Sequence, residues 1–444
     1  MGTGASIAAV EIAGGAEAVT AAQEEQGEQE LYTCFMSPPA VLRKDARILT
    51  EWVNIDALPA EEKSKYDGVG GEVTDFNSWN YNIWALNDDD LVRIGNLVFV
   101  NLDMHTKMGV DVTTVSKFFK VVEALMNRNN NDYHCFHHVV DVMHSAYLFL
   151  KTFGADSLLS DLEQFSLVTA AVVPDLDPPG TNNTYHVNKH TPLAIVYNDT
   201  SILESYHCAR SFELFSKEDY DVLKCLDATQ RKESRRLILM CIMATDMVLH
   251  FGMKANLDKL ATKLSEAPLA IGTLPEPKER DLVLQVLLHA ADVSNPAKQW
   301  DVCKEWSDHV IAEFFAQGDM EKEEKLPVSM NCDRDTTFQD ELSMNFSDFI
   351  VGPFYISIAN LLPKAMVTVQ NLKDNRDGWF SMYKSRVDAD NADENDHKFK
   401  EKLAGWNGRA VSTGAQFDAS LAACTTRLTP TETETETETE KEEA

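Results

Sequence analysis

The chain has 444 residues, 44% of them apolar and 9% aromatic, enough to bury a large core, and this composition excludes a fibrous or wholly low-complexity protein. A formal net charge of -31 at pH 7 argues against a nucleic-acid polymer or an anionic membrane surface as partner, but leaves room for a small anionic ligand where bound cations set the local field. Eight cysteines are scattered without Cys-x-x-Cys spacing and without a secretory signal, which reads as reduced thiols and a cytoplasmic location.

The start Met1-Gly2-Thr3-Gly4-Ala5-Ser6 fits the N-myristoylation pattern with Gly2 as acceptor, and a single acyl chain without a basic patch gives only weak membrane contact. Residues 1–30 hold six Glu and no Lys or Arg among Ala, Gly and Gln, an acidic low-complexity tail. Residues 31–74 read as a helical extension and linker, with helical spacing around Trp52 and a glycine-rich stretch at 67–72. From Trp79 onward, apolar residues recur at helical spacing between Asn, Asp, Gly and Pro stops, with almost no period-2 alternation, so an all-α, multi-helix body of helices 8 to 20 residues long is expected. The apolar runs 237–244 and 349–362 are interrupted by Thr245 and Asp246, and by Pro353 and Asn360, so they are expected as buried core helices and no transmembrane segment is expected. The end carries Thr-Glu five times from Thr431, an extension that buries no apolar surface.

Three segments carry chemistry. Tyr133-His134-Cys135-Phe136-His137-His138-Val139-Val140-Asp141 sets His134, His138 and Asp141 at i, i+4 and i+7, one face of a helix on which a metal or phosphate could sit. A lone histidine on an apolar face is more often a satisfied core residue, but here there are partners. Val173-Pro174-Asp175-Leu176-Asp177-Pro178-Pro179-Gly180 ends an apolar run in carboxylates, and Leu287-Leu288-His289-Ala290-Ala291-Asp292 ends another just before Asn295-Pro296. Each run delivers a hard oxygen ligand from the end of an apolar helix.

These segments resemble the metal-binding segments of the class I 3′,5′-cyclic-nucleotide phosphodiesterases, an all-helical hydrolase family. The order of further pieces agrees: Tyr197-Asn198-Asp199-Thr200-Ser201-Ile202-Leu203-Glu204 with His207, Ala244-Thr245-Asp246-Met247, Trp306-Ser307-Asp308 with Glu313-Phe314-Phe315, and Asn375-Arg376-Asp377-Gly378-Trp379. The resemblance runs from about residue 79 to 403 and implies a catalytic domain over 75–410 with a C-terminal tail over 411–444. It implies two divalent metal ions, zinc with magnesium or manganese, and hydrolysis of cyclic AMP or cyclic GMP to the 5′-monophosphate. Carried over by position, His138, Asp175 and Asp292 are metal ligands, with Asp175 shared by both ions. His134 is the general acid toward the leaving oxygen, a role that needs a carboxylate beside it. Glu204, His207 and Asp246 order the waters around the metals, and Tyr133, Met247, Asn295, Val310 and Phe346 contact the substrate.

The chain departs from that pattern at four places. Pro174 stands where the family has a metal-ligating His, Pro178 where it has another His near the metal waters, and Cys135 where it has Asn. Ser343 stands where a Gln meets the purine edge, and is too short for that bidentate contact. His138, Asp175 and Asp292 still make the three protein ligands common in catalytic zinc sites. His289, one turn before Asp292, is a further supporting candidate, whereas His137 and His144 project elsewhere. Two readings stay open: a metal-dependent hydrolase weakened by the losses, or a pseudo-phosphodiesterase that binds a nucleotide in the same pocket or a protein on the helical scaffold.

Overall fold

A computed structural model describes residues 76–268, 273–390 and 397–428. The expectations for Gly2, the acidic tail, the extension over 31–74 and the Thr-Glu repeat lie outside those residues. Among the described residues every regular element is helical, as expected for an all-α body.

In chain order the main helices are α1 (Asp88–Asn101), α2 (Val112–Met126), α3 (Phe136–Lys151), α4 (Asp161–Val172), α5 (Ile202–Leu214), α6 (Ala228–Met243), α7 (His250–Glu266), α8 (Pro277–Asp292), α9 (Trp300–Glu323), α10 (Gln339–Phe346), α11 (Gly352–Leu361), α12 (Met366–Asp390) and α13 (His397–Leu428). Helices α9, α12 and α13 are 24, 25 and 32 residues long and exceed the expected range.

Three of these helices form the innermost layer. Helix α3 is buried at every position from His138 to Leu150, α4 from Glu163 to Val172, and α8 from Val286 to Ala291. A helix apolar all round has no face to offer water and goes to the centre, and α3, α4 and α8 pack against one another there. Their ends are set by local chemistry. A capping box of Ser160 and Glu163 starts α4, satisfying amides that otherwise lack partners and contributing about 1 kcal/mol. Pro277 at the first turn starts α8, and the turn at Asn295-Pro296 follows its end. At one end of the layer α3 begins while α4 and α8 finish. The carbonyl ends of two helices therefore concentrate negative potential at that place, which favours a cation.

Around this layer α6 packs on α4 and α8, α1 on α3, and α7 on α8 and α11. The run 237–244 forms the end of α6 and its cap, with Leu237, Ile238, Cys241 and Ile242 buried. No single described helix is long and apolar enough to cross a membrane. The segments Ala228–Met243 and Met247–Glu266 meet that length and composition only when joined across an 84° bend. Among the described residues the cysteines form no disulfide with one another.

A tail was expected from 411, but α13 runs through position 410 without a break. Phe417, Ser420 and Cys424 recur at i, i+3 and i+7 and are buried; α13 packs on α11 and α12, and the Cys424 thiol donates to the Ala359 carbonyl at 3.4 Å. Glycine and charged residues dilute this stripe, so it is faint when read along the chain.

Candidate active site

The three convergent helix ends bring His138, Asp175 and Asp292 together. His138 lies in the first turn of α3, Asp175 three residues past α4, and Asp292 at the last position of α8. One ligand atom from each lies within 4.8 Å of the others. His138 Nε2 is 3.1 Å from Asp292 Oδ1 and 3.4 Å from Asp175 Oδ2. Burial disfavours an imidazolium here, yet the two carboxylates prevail and push the His138 pKa up to about 10. Burial likewise opposes ionisation of Asp175, but the adjacent His138 ring and the charges of His134 and His138 hold its carboxyl well below the usual range. Asp292 is pushed up, by burial first and then by the Asp175 charge. Asp175 Oδ2 and His138 Nδ1 are buried without a hydrogen-bond partner. Two acids and one imidazole around a shared point, with unsatisfied donor atoms, is a set that fits a divalent cation.

Two expectations about the first segment need correction. His134 is not on the helix, because α3 begins at Phe136 with Cys135 as its cap. Asp141 does not face the cluster either: its carboxylate pairs with Lys298 at 2.9 Å, and Lys298 is fully buried over the Trp79 ring. An unpaired lysine ammonium there would be far costlier than the pair, so Asp141 is committed. His137 stacks on Trp84 and His144 bonds the Phe76 carbonyl, both away from the cluster as expected. His289 also stays apart, its Nε2 3.0 Å from His250 Nδ1.

His134 is held by a residue that was needed but not identified from the sequence, Glu313 of α9. His134 Nδ1 is 2.5 Å from Glu313 Oε1, and the backbone amides of Tyr133 and His134 donate to Glu313 Oε2 at 2.9 and 3.0 Å. Burial lowers the pKa of His134, but the Glu313 charge and hydrogen bond overcome it and raise the value to about 9. Despite its burial, Glu313 is held down to about 2, chiefly by the His134 charge and then by these hydrogen bonds. His134 is therefore an imidazolium at neutral pH.

Glu204, His207 and Asp246 line one cavity of about 340 Å³ together with His134, Asp175, Asp292, Pro178 and Glu313. Burial pushes His207 down, so the neutral ring donates Nδ1–H to the Leu176 carbonyl at 2.9 Å and keeps Nε2 as an acceptor. Glu204 accepts from Asn183 Nδ2 at 3.0 Å, and Asp246 from the Ser201 hydroxyl at 2.6 Å. Burial raises the Glu204 pKa, and the Asp246 and Asp175 charges add to it. A second cavity, also about 340 Å³, is lined by Tyr133, Met247, Asn295, Val310, Phe346 and Ser343. His134 and Asp292 belong to both cavities.

The loop that carries Asp175 is fastened by Asp177, a residue no sequence signal singled out. Asp177 has φ +64°, in the left-handed region that Asp tolerates, and its buried carboxylate meets Arg210 at 3.0 Å, Arg128 at 3.2 Å and the Tyr206 hydroxyl at 2.6 Å. Asn129 and Asn131 donate to the Pro178 carbonyl. Gly180 follows at φ +76°, where a Cβ would lie 2.5 Å from Asn131 Oδ1. Replacing Asp177 by Ala leaves the buried Arg210 with Glu213, at 2.6 Å, as its remaining carboxylate and removes the acceptor of the Tyr206 hydroxyl; a loss of about 1.5–3 kcal/mol is expected, measured as a fall in the denaturation midpoint.

Residues 133–372, which include His134, His138, Asp175, Asp292 and Glu313, match the family model described as 3′5′-cyclic nucleotide phosphodiesterase. The chain belongs to this family. It is 32% identical over 321 residues to mouse 3′,5′-cyclic-AMP phosphodiesterase 4C, covering 71% of this chain and 46% of that one. It is 31% identical over 324 residues to the 3′,5′-cyclic-nucleotide phosphodiesterase regA of Dictyostelium discoideum, covering 73% and 40%. The chain thus spans about half the length of the curated relatives it matches. The phosphodiesterase domain of the Salpingoeca rosetta rhodopsin phosphodiesterase superposes with a TM-score of 0.67 at 27% identity, over 75% of this chain and 97% of that domain. The all-α phosphodiesterase architecture is therefore established by both sequence and fold, with the His138, Asp175 and Asp292 cluster inside the matched region.

Proposed function

We propose that this phosphodiesterase-family protein hydrolyses a 3′,5′-cyclic nucleotide to the 5′-monophosphate. The observation that carries the reading is the wall shared by the two cavities. A mostly apolar cleft suited to a flat base joins a polar cavity rich in carboxylates, and His134 stands at the junction with Asp292. Placed there, a cyclic nucleotide sets its base against Phe346, Val310 and Met247 and its phosphate beside His134.

His138, Asp175 and Asp292 would hold one divalent cation, and Asp175 would share a second with waters ordered by Glu204, His207 and Asp246. Such a metal pair, zinc with magnesium or manganese, supplies an electrophile for the phosphate oxygens and acidifies the attacking water. The protein's own contribution to bond cleavage is a proton. His134, kept charged by Glu313, donates from Nε2 to the 3′ oxygen as that oxygen leaves. Tyr133 donates its hydroxyl to Asn295 Oδ1 at 2.6 Å, which keeps this part of the cleft wall in one arrangement.

The test is incubation with cyclic AMP or cyclic GMP and magnesium or manganese, followed by assay for the 5′-monophosphate. Absence of product at saturating metal sinks the hydrolase reading. Pro174 and Pro178, which stand in place of nitrogen donors, favour a second reading in which the cleft binds nucleotide without turning it over, and nucleotide retention without product would support it. Pro174→His restores the missing donor and is expected to tighten metal binding at least about 10- to 100-fold, read by competition with a chelator.

A further inference from the structure

An apolar cleft leaves the choice of ligand to its few polar groups with unused hydrogen-bonding capacity. Asn295 is largely spent: its Oδ1 accepts from Tyr133 and its Nδ2 lies 3.4 Å from Asp141 Oδ2. Ser307 of α9 and Ser343 of α10 also line the cleft, with their hydroxyl oxygens 3.1 Å apart.

Gln339, one turn before Ser343 on α10, sets the direction of this pair. Its amide nitrogen is 2.7 Å from Asp308 Oδ1 and 3.0 Å from Ser307 Oγ. Asp308 pairs with Lys304 at 2.5 Å. A carboxylate only accepts, so the amide must turn its NH₂ toward Asp308, and that same NH₂ then donates to Ser307. Ser307 Oγ is thereby an acceptor. One of the two hydroxyl hydrogens is used between Ser307 and Ser343. The pair has one O–H and at least one lone pair left for a ligand, and both belong to hydroxyls free to rotate.

We propose that the Ser307–Ser343 hydroxyl pair is the base-reading edge of the cleft, and that it accepts adenine and guanine nucleotides alike. The proposal rests on the reading of the cleft as a nucleotide site. Adenine offers an amino donor beside a ring-nitrogen acceptor, and guanine offers an oxo acceptor beside an N–H donor. A rotating hydroxyl satisfies one group of either edge, whereas a site of fixed donors and acceptors leaves buried groups unpaired with the wrong base and rejects it by as much as about 10⁴- to 10⁵-fold. Gln339, occupied by Asp308 and Ser307, does not reach past the hydroxyls to impose that order.

The experiment is calorimetric titration of the full chain, with manganese present, using 5′-AMP and 5′-GMP, which carry the two bases but no cyclic phosphodiester to cleave. Dissociation constants within about tenfold of each other are expected, and Ser343→Ala should weaken both by about two- to tenfold while leaving their ratio unchanged. Ser343→Ala stays on a helix that alanine favours, so the fold is kept. A wild-type preference above tenfold, or a loss confined to one nucleotide in Ser343→Ala, overturns the proposal and leaves the nucleotide site standing. Failure of the wild type to bind either nucleotide overturns both.

Discussion

Asp175→Asn is expected to lower turnover of cyclic nucleotide by at least about 10³-fold while leaving the fold intact. The side chain keeps its size, so the loop fastened by Asp177, Arg210 and Tyr206 stays in place. What disappears is the negative charge beside His138 and Asp292. Electrophilic assistance from metal is worth several kcal/mol of transition-state stabilisation, and each 1.36 kcal/mol is a factor of ten in rate. The readout is kcat/KM beside the denaturation midpoint. Wild-type turnover in a stably folded Asp175→Asn protein would show that the carboxylate has no part in the chemistry.

Glu313→Gln should produce the second largest effect, and one that depends on pH. With Glu313 in place the His134 pKa is raised to about 9, so the acid form persists through neutral pH and its contribution is lost as pH rises through that value. Glutamine keeps the shape but removes the charge that opposes burial, so the His134 pKa falls to the ordinary value near 6.5 or lower. At pH 8 only about 3% of the imidazole would then be charged. A loss of at least about 30-fold is expected at that pH, shrinking as the pH falls toward 6, and its ceiling is the about 10²- to 10⁴-fold that a positioned acid contributes in full. A pH profile of kcat/KM checks it: the alkaline limb should move down by two units or more. An unmoved limb would mean that His134 is not the proton donor.

The legibility of the site in the sequence follows from how each residue is held. His138, Asp175 and Asp292 sit at the ends of runs that are buried on every side, and such runs become the central helices whose ends meet. Glu313 was invisible because its partner is 179 residues away, and only the packing of α9 against the start of α3 joins them. His134 was misplaced because the cap at Cys135 starts the helix after it, and Asp141 was misjudged because its partner Lys298 is far away in the sequence. Asp177 looked like one of several loop carboxylates, and its two arginines come from elements brought near only by folding. The all-α architecture was legible from the 3.6-residue spacing, while the extent of α13 was not, because its buried stripe of Phe417, Ser420 and Cys424 holds only one large apolar residue.

The losses at Pro174 and Ser343 then have different physical weight. The first removes a donor from a cluster that retains one imidazole and two carboxylates, the number of protein ligands typical of a catalytic centre with an open position. The second exchanges a long amide for a hydroxyl 3.1 Å from Ser307 Oγ, which itself accepts from Gln339. On the proposed reading, the first weakens the grip on a cation and the second relaxes the choice of base.

The most direct measurement is metal stoichiometry: elemental analysis and manganese or zinc titration of the purified chain, alongside His138→Ala. At least one equivalent of divalent ion per chain is expected, removed by chelator and absent from His138→Ala. A wild-type protein that takes up no stoichiometric metal at saturating concentration would contradict the account at its centre.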